Sequence, residues 1–155
     1  MAALARHRRT WRRDDAGAEL VEFALVFPLL LLVVLGMIDF GLLFQQEAVL
    51  TNAAREGARI AVLPNYTSAD ATTRVAQYVQ ASLISQGQAV TTTVGAPVAV
   101  PIGTHCMSTV TVTLSYPHRY LFLGGIARYF HATFGTKTLR VTATMRREAA
   151  AVQCS

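Results

Sequence analysis

Charge is scarce in this chain. Only 15% of its 155 residues are Asp, Glu, Lys or Arg, against about 25% in ordinary soluble domains. Lysine is nearly missing, since thirteen of the fourteen basic residues are arginine and Lys137 is the exception. A disordered chain is excluded, because disorder needs many charges and few apolar residues and here 52% are hydrophobic. The motifs of common catalytic sites are also missing: no G-x-S-x-G, no H-E-x-x-H and no phosphate-binding glycine loop. Beyond the long apolar run the carboxylate side chains are only Glu47, Glu56, Asp70 and Glu148, too sparse for an acid/base pair in a cleft. The expectation is a protein that is not an enzyme and needs no cofactor. A metal site is not expected either, because adjacent His105 and Cys106 rarely point at one ion and no C-x-x-C is present.

What the chain does have is an uncharged run. Between Glu22 and Asp39 no residue carries charge, and twelve of residues 23–38 are Leu, Val, Phe or Ile. Carried through Phe44 the run has 22 residues, about 33 Å of helix against roughly 30 Å of bilayer hydrocarbon. Pro28 is compatible with a span, since neighbours re-satisfy the one freed carbonyl. The net charge of +5 is concentrated before it: residues 1–17 hold five arginines against Asp14 and Asp15, which is +3. A basic segment ahead of a span implies a cytoplasmic N-terminus and a domain outside, in the periplasm or beyond. The remaining +2 forms no dense stripe, so nucleic acid is not an expected partner. A cleaved secretory signal fits the basic start, but its apolar core is usually only about 7–15 residues.

The helical pattern continues past Phe44 to Leu63, where Pro64-Asn65 ends it, so residues 18–63 read as one helix. Ala53, Gly57 and Ala61 recur every fourth residue and form a flat strip for close helix packing, on the chain's own sheet or on another subunit. Thr67-Ser-Ala-Asp70 resembles a capping box, and Val75, Tyr78, Val79, Ser82 and Leu83 give an amphipathic helix over 68–86 stopped by Gly87. From Ala89 the period falls to two. Val90–Val94 reads as a short strand and Pro97–Pro101 as an edge or connecting segment. Met107–Tyr116 and Thr138–Arg146 alternate, with Val110, Val112, Leu114, Leu139, Val141, Ala143 and Met145 on the covered face. Residues 120–134 are apolar but broken by Gly124-Gly125 and Arg128, and read as a sheet-connecting loop that packs on the domain or rests on the membrane. The fold class is therefore α+β: a long N-terminal transmembrane helix continuing outside the membrane, a second amphipathic helix and a small antiparallel sheet. Three segments follow: leader 1–17, helix 18–63 with its span at about 23–44, and exported domain 64–155.

Both cysteines, Cys106 and Cys154, fall on the outer side, where a disulfide is favoured over two free thiols. His105, His118 and His131 read as ordinary surface or loop residues, and the aromatic residues of 116–134 as core. Asp39 reads as an outer-boundary residue reaching water, or as the partner of a neighbouring helix.

The head of the span carries the functional signal. A glycine at Gly17 suits an extended chain in a narrow protease cleft, and a cut after it would make Ala18 the first residue and Glu22 the fifth. A carboxylate at Glu22 either meets headgroups or pairs with the ammonium group of a neighbouring subunit, which would fix axial register. Gly17, Val21-Glu22-Phe23-Ala24-Leu25, Pro28, Ile38-Asp39-Phe40-Gly41 and Ala53-Ala54-Arg55-Glu56-Gly57-Ala58-Arg59 together resemble the TadE-like pseudopilins of the tight-adherence (Tad) subtype of type IV pili. The closing Val141–Arg146 resembles the family's last strand. The resemblance implies cleavage after Gly17 by an inner-membrane prepilin peptidase. It also implies assembly with other pilins or pseudopilins and the Tad inner-membrane machinery in an adhesive pilus. Phe23 conforms to the family's aromatic after the key Glu, whereas Glu19 departs from it by adding a second acid near Glu22. The rival reading is an uncleaved, membrane-anchored periplasmic scaffold or binding domain.

Overall fold

The structure is a computed structural model that describes residues 11–82, 88–103, 105–129 and 136–147. Its first element, α1 (Trp11–Ala61), is a single helix of 51 residues, about 77 Å long at 1.5 Å per residue. It begins seven residues before the expected start and ends two before the expected end. Pro28 sits inside it, and Asn65, at φ 68°, takes the left-handed turn that follows. The second helix, α2 (Ser68–Ala81), starts at the capping box: the Asp70 amide donates to Thr67 Oγ1 at 3.3 Å and the Thr67 amide to Asp70 Oδ2 at 2.7 Å. The Thr67 side chain and then its backbone amide hold the Asp70 carboxyl below its ordinary range. The face α2 buries is Ala71, Val75 and Val79, while Tyr78 stays 37% exposed. Leu83 and Gly87 lie outside the described residues.

Four antiparallel strands follow: β1 (Thr91–Val94), β2 (Val98–Ile102), β3 (His105–Arg119) and β4 (Thr136–Arg146). The fifteen-residue β3 is the spine. One of its edges pairs first with β2, from Ile102↔His105 to Val98↔Thr109, and then with β1, from Val94↔Val112 to Thr91↔Ser115. Its other edge pairs with β4 from Thr109↔Arg146 to Arg119↔Thr136. Pro101 is tolerated in β2 because β2 is an edge strand.

The period-two alternation puts Val110, Val112, Leu114, Tyr116 and His118 on the buried face of β3. Leu50, Ala53, Ala54 and Ala58 of α1 and Val75 of α2 close over that face with no exposure at all. The opposite face is a threonine array, with Thr111 and Thr144 hydroxyls 3.0 Å apart. At Gly57 the helices α1 and α2 touch: a Cβ there would lie 2.5 Å from Val75 Cγ2. The strip at Ala53, Gly57 and Ala61 therefore packs within the chain. One expectation needs correcting. Residues 123–129 are not loop but a third helix, α3 (Leu123–Tyr129), set between β3 and β4.

Candidate functional site

Two stretches of α1 carry the residues singled out at the sequence level. From Gly17 to Val34 every residue is exposed, and fifteen large apolar side chains between Leu20 and Phe40 keep 44–75% of their surface uncovered. The stretch has a mean hydropathy of 2.7 in its most apolar window, and none of that window is buried. Monomers in water rarely expose a contiguous apolar patch beyond a few hundred Å². Among the described residues α1 is the one helix long and apolar enough to cross a membrane, compatible with single-pass anchoring.

Gly17 lies within the helix, and a Cβ added there would meet nothing within 4 Å. Glycine costs about 1 kcal/mol relative to alanine in a helix interior, so packing in this fold gives no reason for it. Glu22 is exposed and has no ion-pair partner among the described residues. The Phe23 ring stacks on Phe27 with centroids 5.3 Å apart, just before Pro28.

The second stretch begins at Asp39. Buried positions on α1 then recur at Asp39, Leu43, Gln46, Leu50, Ala53, Ala54, Gly57 and Ala58, the spacing of one helix face. Asp39 keeps only 1% of its surface and so does not reach water. Its Oδ1 accepts from the backbone amides of Leu121 at 2.9 Å and Phe122 at 3.3 Å; its Oδ2 accepts from Phe122 at 3.0 Å and Leu123 at 2.7 Å. The segment Tyr120-Leu-Phe-Leu123 offers no capping side chain, so the orphan amides at the start of α3 are satisfied from α1 instead. That corrects the reading of Asp39 as an outer-boundary residue reaching water.

Beside this clamp sits a second buried polar contact. His118 has 1% exposure, and its Nδ1 lies 2.5 Å from Gln46 Oε1. A carboxamide oxygen only accepts, so Nδ1 carries the proton. Nε2 is then an acceptor, buried with no hydrogen-bond partner among the described residues. Desolvation lowers the His118 pKa, the Asp39 carboxylate raises it, Lys137 lowers it, and the net direction is down. The ring meets Tyr120 edge-on at 4.9 Å, and Tyr120 meets Phe40 edge-on at 6.3 Å. The reading of His118 as an ordinary surface residue fails here; the side chains of His105 and His131 lie outside what is described. Gln46 escaped the sequence reading, although its spacing from Asp39 and Leu50 puts it on the same face.

On the far side, Glu56 accepts from Arg74 Nε at 3.1 Å and Arg59 Nε at 3.3 Å. Partial burial acts upward on its carboxyl, and the two guanidinium groups outweigh that and hold it below the ordinary range. Cys106 is buried at the head of β3. Cys154 lies outside the described residues. Among the described residues no group of three or more His, Cys, Asp or Glu could hold a metal ion.

The family model described as TadE-like protein matches residues 17–59. That range runs from the glycine at the head of the bare stretch to Arg59, and it contains both Glu22 and Asp39. The match points to a pilin-like protein related to the Tad pilus. No curated protein and no solved structure matches the chain.

Proposed function

We propose that the chain is a TadE-like pseudopilin or minor pilin that takes part in assembling a Tad-type adhesive pilus, as a structural subunit and not as a catalyst. Its leader, residues 1–17, would face the cytoplasm, α1 would cross the cytoplasmic membrane once, and the α+β domain would stand outside. A prepilin peptidase would cut after Gly17. Glu22 would then pair with the new ammonium group at Ala18 of an adjacent pilin or pseudopilin, with Phe23 and Pro28 shaping the helix beside it. The observation that carries this reading is the exposed Glu22, without an ion-pair partner among the described residues, on an apolar helix end that none of those residues covers. A carboxylate in lipid is costly alone and far less so beside a cation. The unfilled space at Gly17 agrees with a glycine kept for a protease cleft.

A second reading is an uncleaved, membrane-anchored scaffold, and one observation favours it: α1 runs unbroken through Gly17, so a protease would have to unwind a turn before cutting. Mass spectrometry of membrane-derived protein separates the two. A mature N-terminus at Ala18, abolished by Gly17→Arg, supports cleavage; a start at Met1 or Ala2 in piliated cells rejects it. Pairing of Cys106 with Cys154 belongs to the same proposal, since an exported domain would keep it. Closing a loop of nearly fifty residues stabilises by about 4 kcal/mol in the chain-entropy model. Equal gel migration with and without reductant, with both thiols open to alkylation, would remove that pairing.

A further inference from the structure

The end of the domain nearest the bare helix is apolar where a soluble domain would be polar. Leu121, two residues before α3, is 60% exposed, and Tyr129, its last residue, is 82% exposed. Leu123 faces α1 across an open apolar groove whose other walls include Leu32, Val33, Gly36, Met37 and Phe40. Asp39 locks this arrangement, because its carboxylate holds the start of α3 against the helix at that level.

The level can be placed by length. With Glu22 at the inner edge of the hydrocarbon, residue 41 lies nineteen positions further, about 28 Å along the helix, against roughly 30 Å of hydrocarbon. The clamp and α3 then sit at the outer edge of the bilayer, and the groove opens among the acyl chains of the outer leaflet. Charge agrees with that placement. Arg119 and Arg128, the charged residues of the 119–129 segment, are exposed, as is Lys137 on β4, and the carboxylate that faces α3, Asp39, is buried and occupied.

We propose that α3 and its flanks form a membrane-interface surface, with Leu121 and Tyr129 seated at the headgroup boundary. An acyl chain lies in the groove, and Arg119, Arg128 and Lys137 face anionic phospholipid headgroups. The proposal rests on α1 crossing the membrane and goes beyond the pilin reading, because it gives the domain its own lipid contact. The partner is a bilayer and not a second copy of the chain: the patch is continuous with the bare span, and the charges on α3 and the residues before it, Arg119 and Arg128, are both basic and would repel across a symmetric contact.

The test uses full-length protein in vesicles of phosphatidylcholine, with and without phosphatidylglycerol, and lipids brominated near the top of the acyl chains. Trp11, the single tryptophan, is first replaced by Phe. Tryptophan is then placed singly at Leu30 as the span reference, at Leu121 or Tyr129 as probes, and at Thr142 on the threonine face as the outside reference. The expected result is about twofold quenching at positions 30, 121 and 129, none at 142, and stronger quenching at 121 and 129 when phosphatidylglycerol is present. Quenching at 30 with none at 121 and 129 overturns the interface surface and leaves the span standing; no quenching at 30 overturns the span itself. Emission at 129 that follows the protein-to-lipid ratio and ignores bromination would assign the patch to a second copy and overturn the proposal. Equal quenching with and without phosphatidylglycerol would overturn the role of the basic rim.

Discussion

α1 lives in two environments. Its first half, from Gly17 to Val34, is covered by none of the described residues, and its second half, from Asp39 to Ala58, buries one face against α2 and the sheet. The two halves use opposite chemistry for the same helix. Beyond Glu22 the bare half is apolar all round, as a lipid-facing helix is, and its charged residues, Glu19 and Glu22, have no ion-pair partner among the described residues. The covered half is apolar on one face only, and that face narrows to alanine and glycine where α2 comes close. Polar groups mark the border: Asp39 and Gln46 are buried and satisfied from β3 and the α3 segment. The difference teaches that the border is built and not merely where the apolar run stops.

The strongest way to break this contrast is at Asp39. Asp39→Ala leaves three backbone amides at the start of α3 without an acceptor. Hydrogen bonds to a charged group contribute about 1.5–3 kcal/mol each, and stranded buried donors add to the loss. A destabilisation of about 3–5 kcal/mol is expected for the domain by denaturant titration in detergent. Hydrogen exchange of the amides of Leu121, Phe122 and Leu123 should accelerate before the rest of the sheet. Protection unchanged at those three amides would mean that the clamp does not hold α3.

Gly57→Ala probes the covered half alone. The new methyl meets Val75, a branched side chain with little freedom to turn, and overpacking of this kind costs about 1–3 kcal/mol. The cost should shrink when Val75 is already alanine, because the two changes share one space. Additive losses would show that α1 and α2 are not in contact there.

Smaller still is the effect of pH on His118. Its pKa is lower in the folded chain than the ordinary value of 6.5. The unfolded chain therefore takes up more protons as pH falls through that range, and stability drops as pH is lowered from about 7 through the unfolded pKa toward the folded one. Glu56 and Asp70, both held low, lose their contribution only in the carboxylate range below that window. His118→Gln should flatten the slope between about pH 7 and 5. A slope that survives the substitution would assign it to another group.

Much of this fold was legible because periodicity is local. The change from 3.6 to 2 at Ala89, the Thr67–Asp70 box and the alternation of Val110, Val112 and Leu114 each need only neighbours in sequence. The clamp was not legible, because it joins Asp39 to amides 82 to 84 residues away. α3 was missed for the same reason: Tyr120–Leu123 carries no cap, and the acid that starts the helix lies on another element. His118 gave a partial signal, since it continues the inward alternation of Leu114 and Tyr116, but a basic side chain on a buried face argues against itself until Gln46 is found opposite.

The smallest expected effect on stability is the most informative about the other half. Glu22 is exposed and has no ion-pair partner among the described residues, so Glu22→Gln should leave domain unfolding unchanged within about 0.5 kcal/mol, as surface substitutions do. It should also insert normally, since removing a charge from the lipid boundary only favours insertion. If the acid serves as a register mark between subunits, the same variant should reduce pilus yield, and restoring the acid one position away should not rescue it, because each residue turns the helix by about 100°. A variant that keeps domain stability, insertion and piliation would show that the bare half of α1 needs only to be greasy. It would also leave the built border at Asp39 as the one place where this helix is chemically specific.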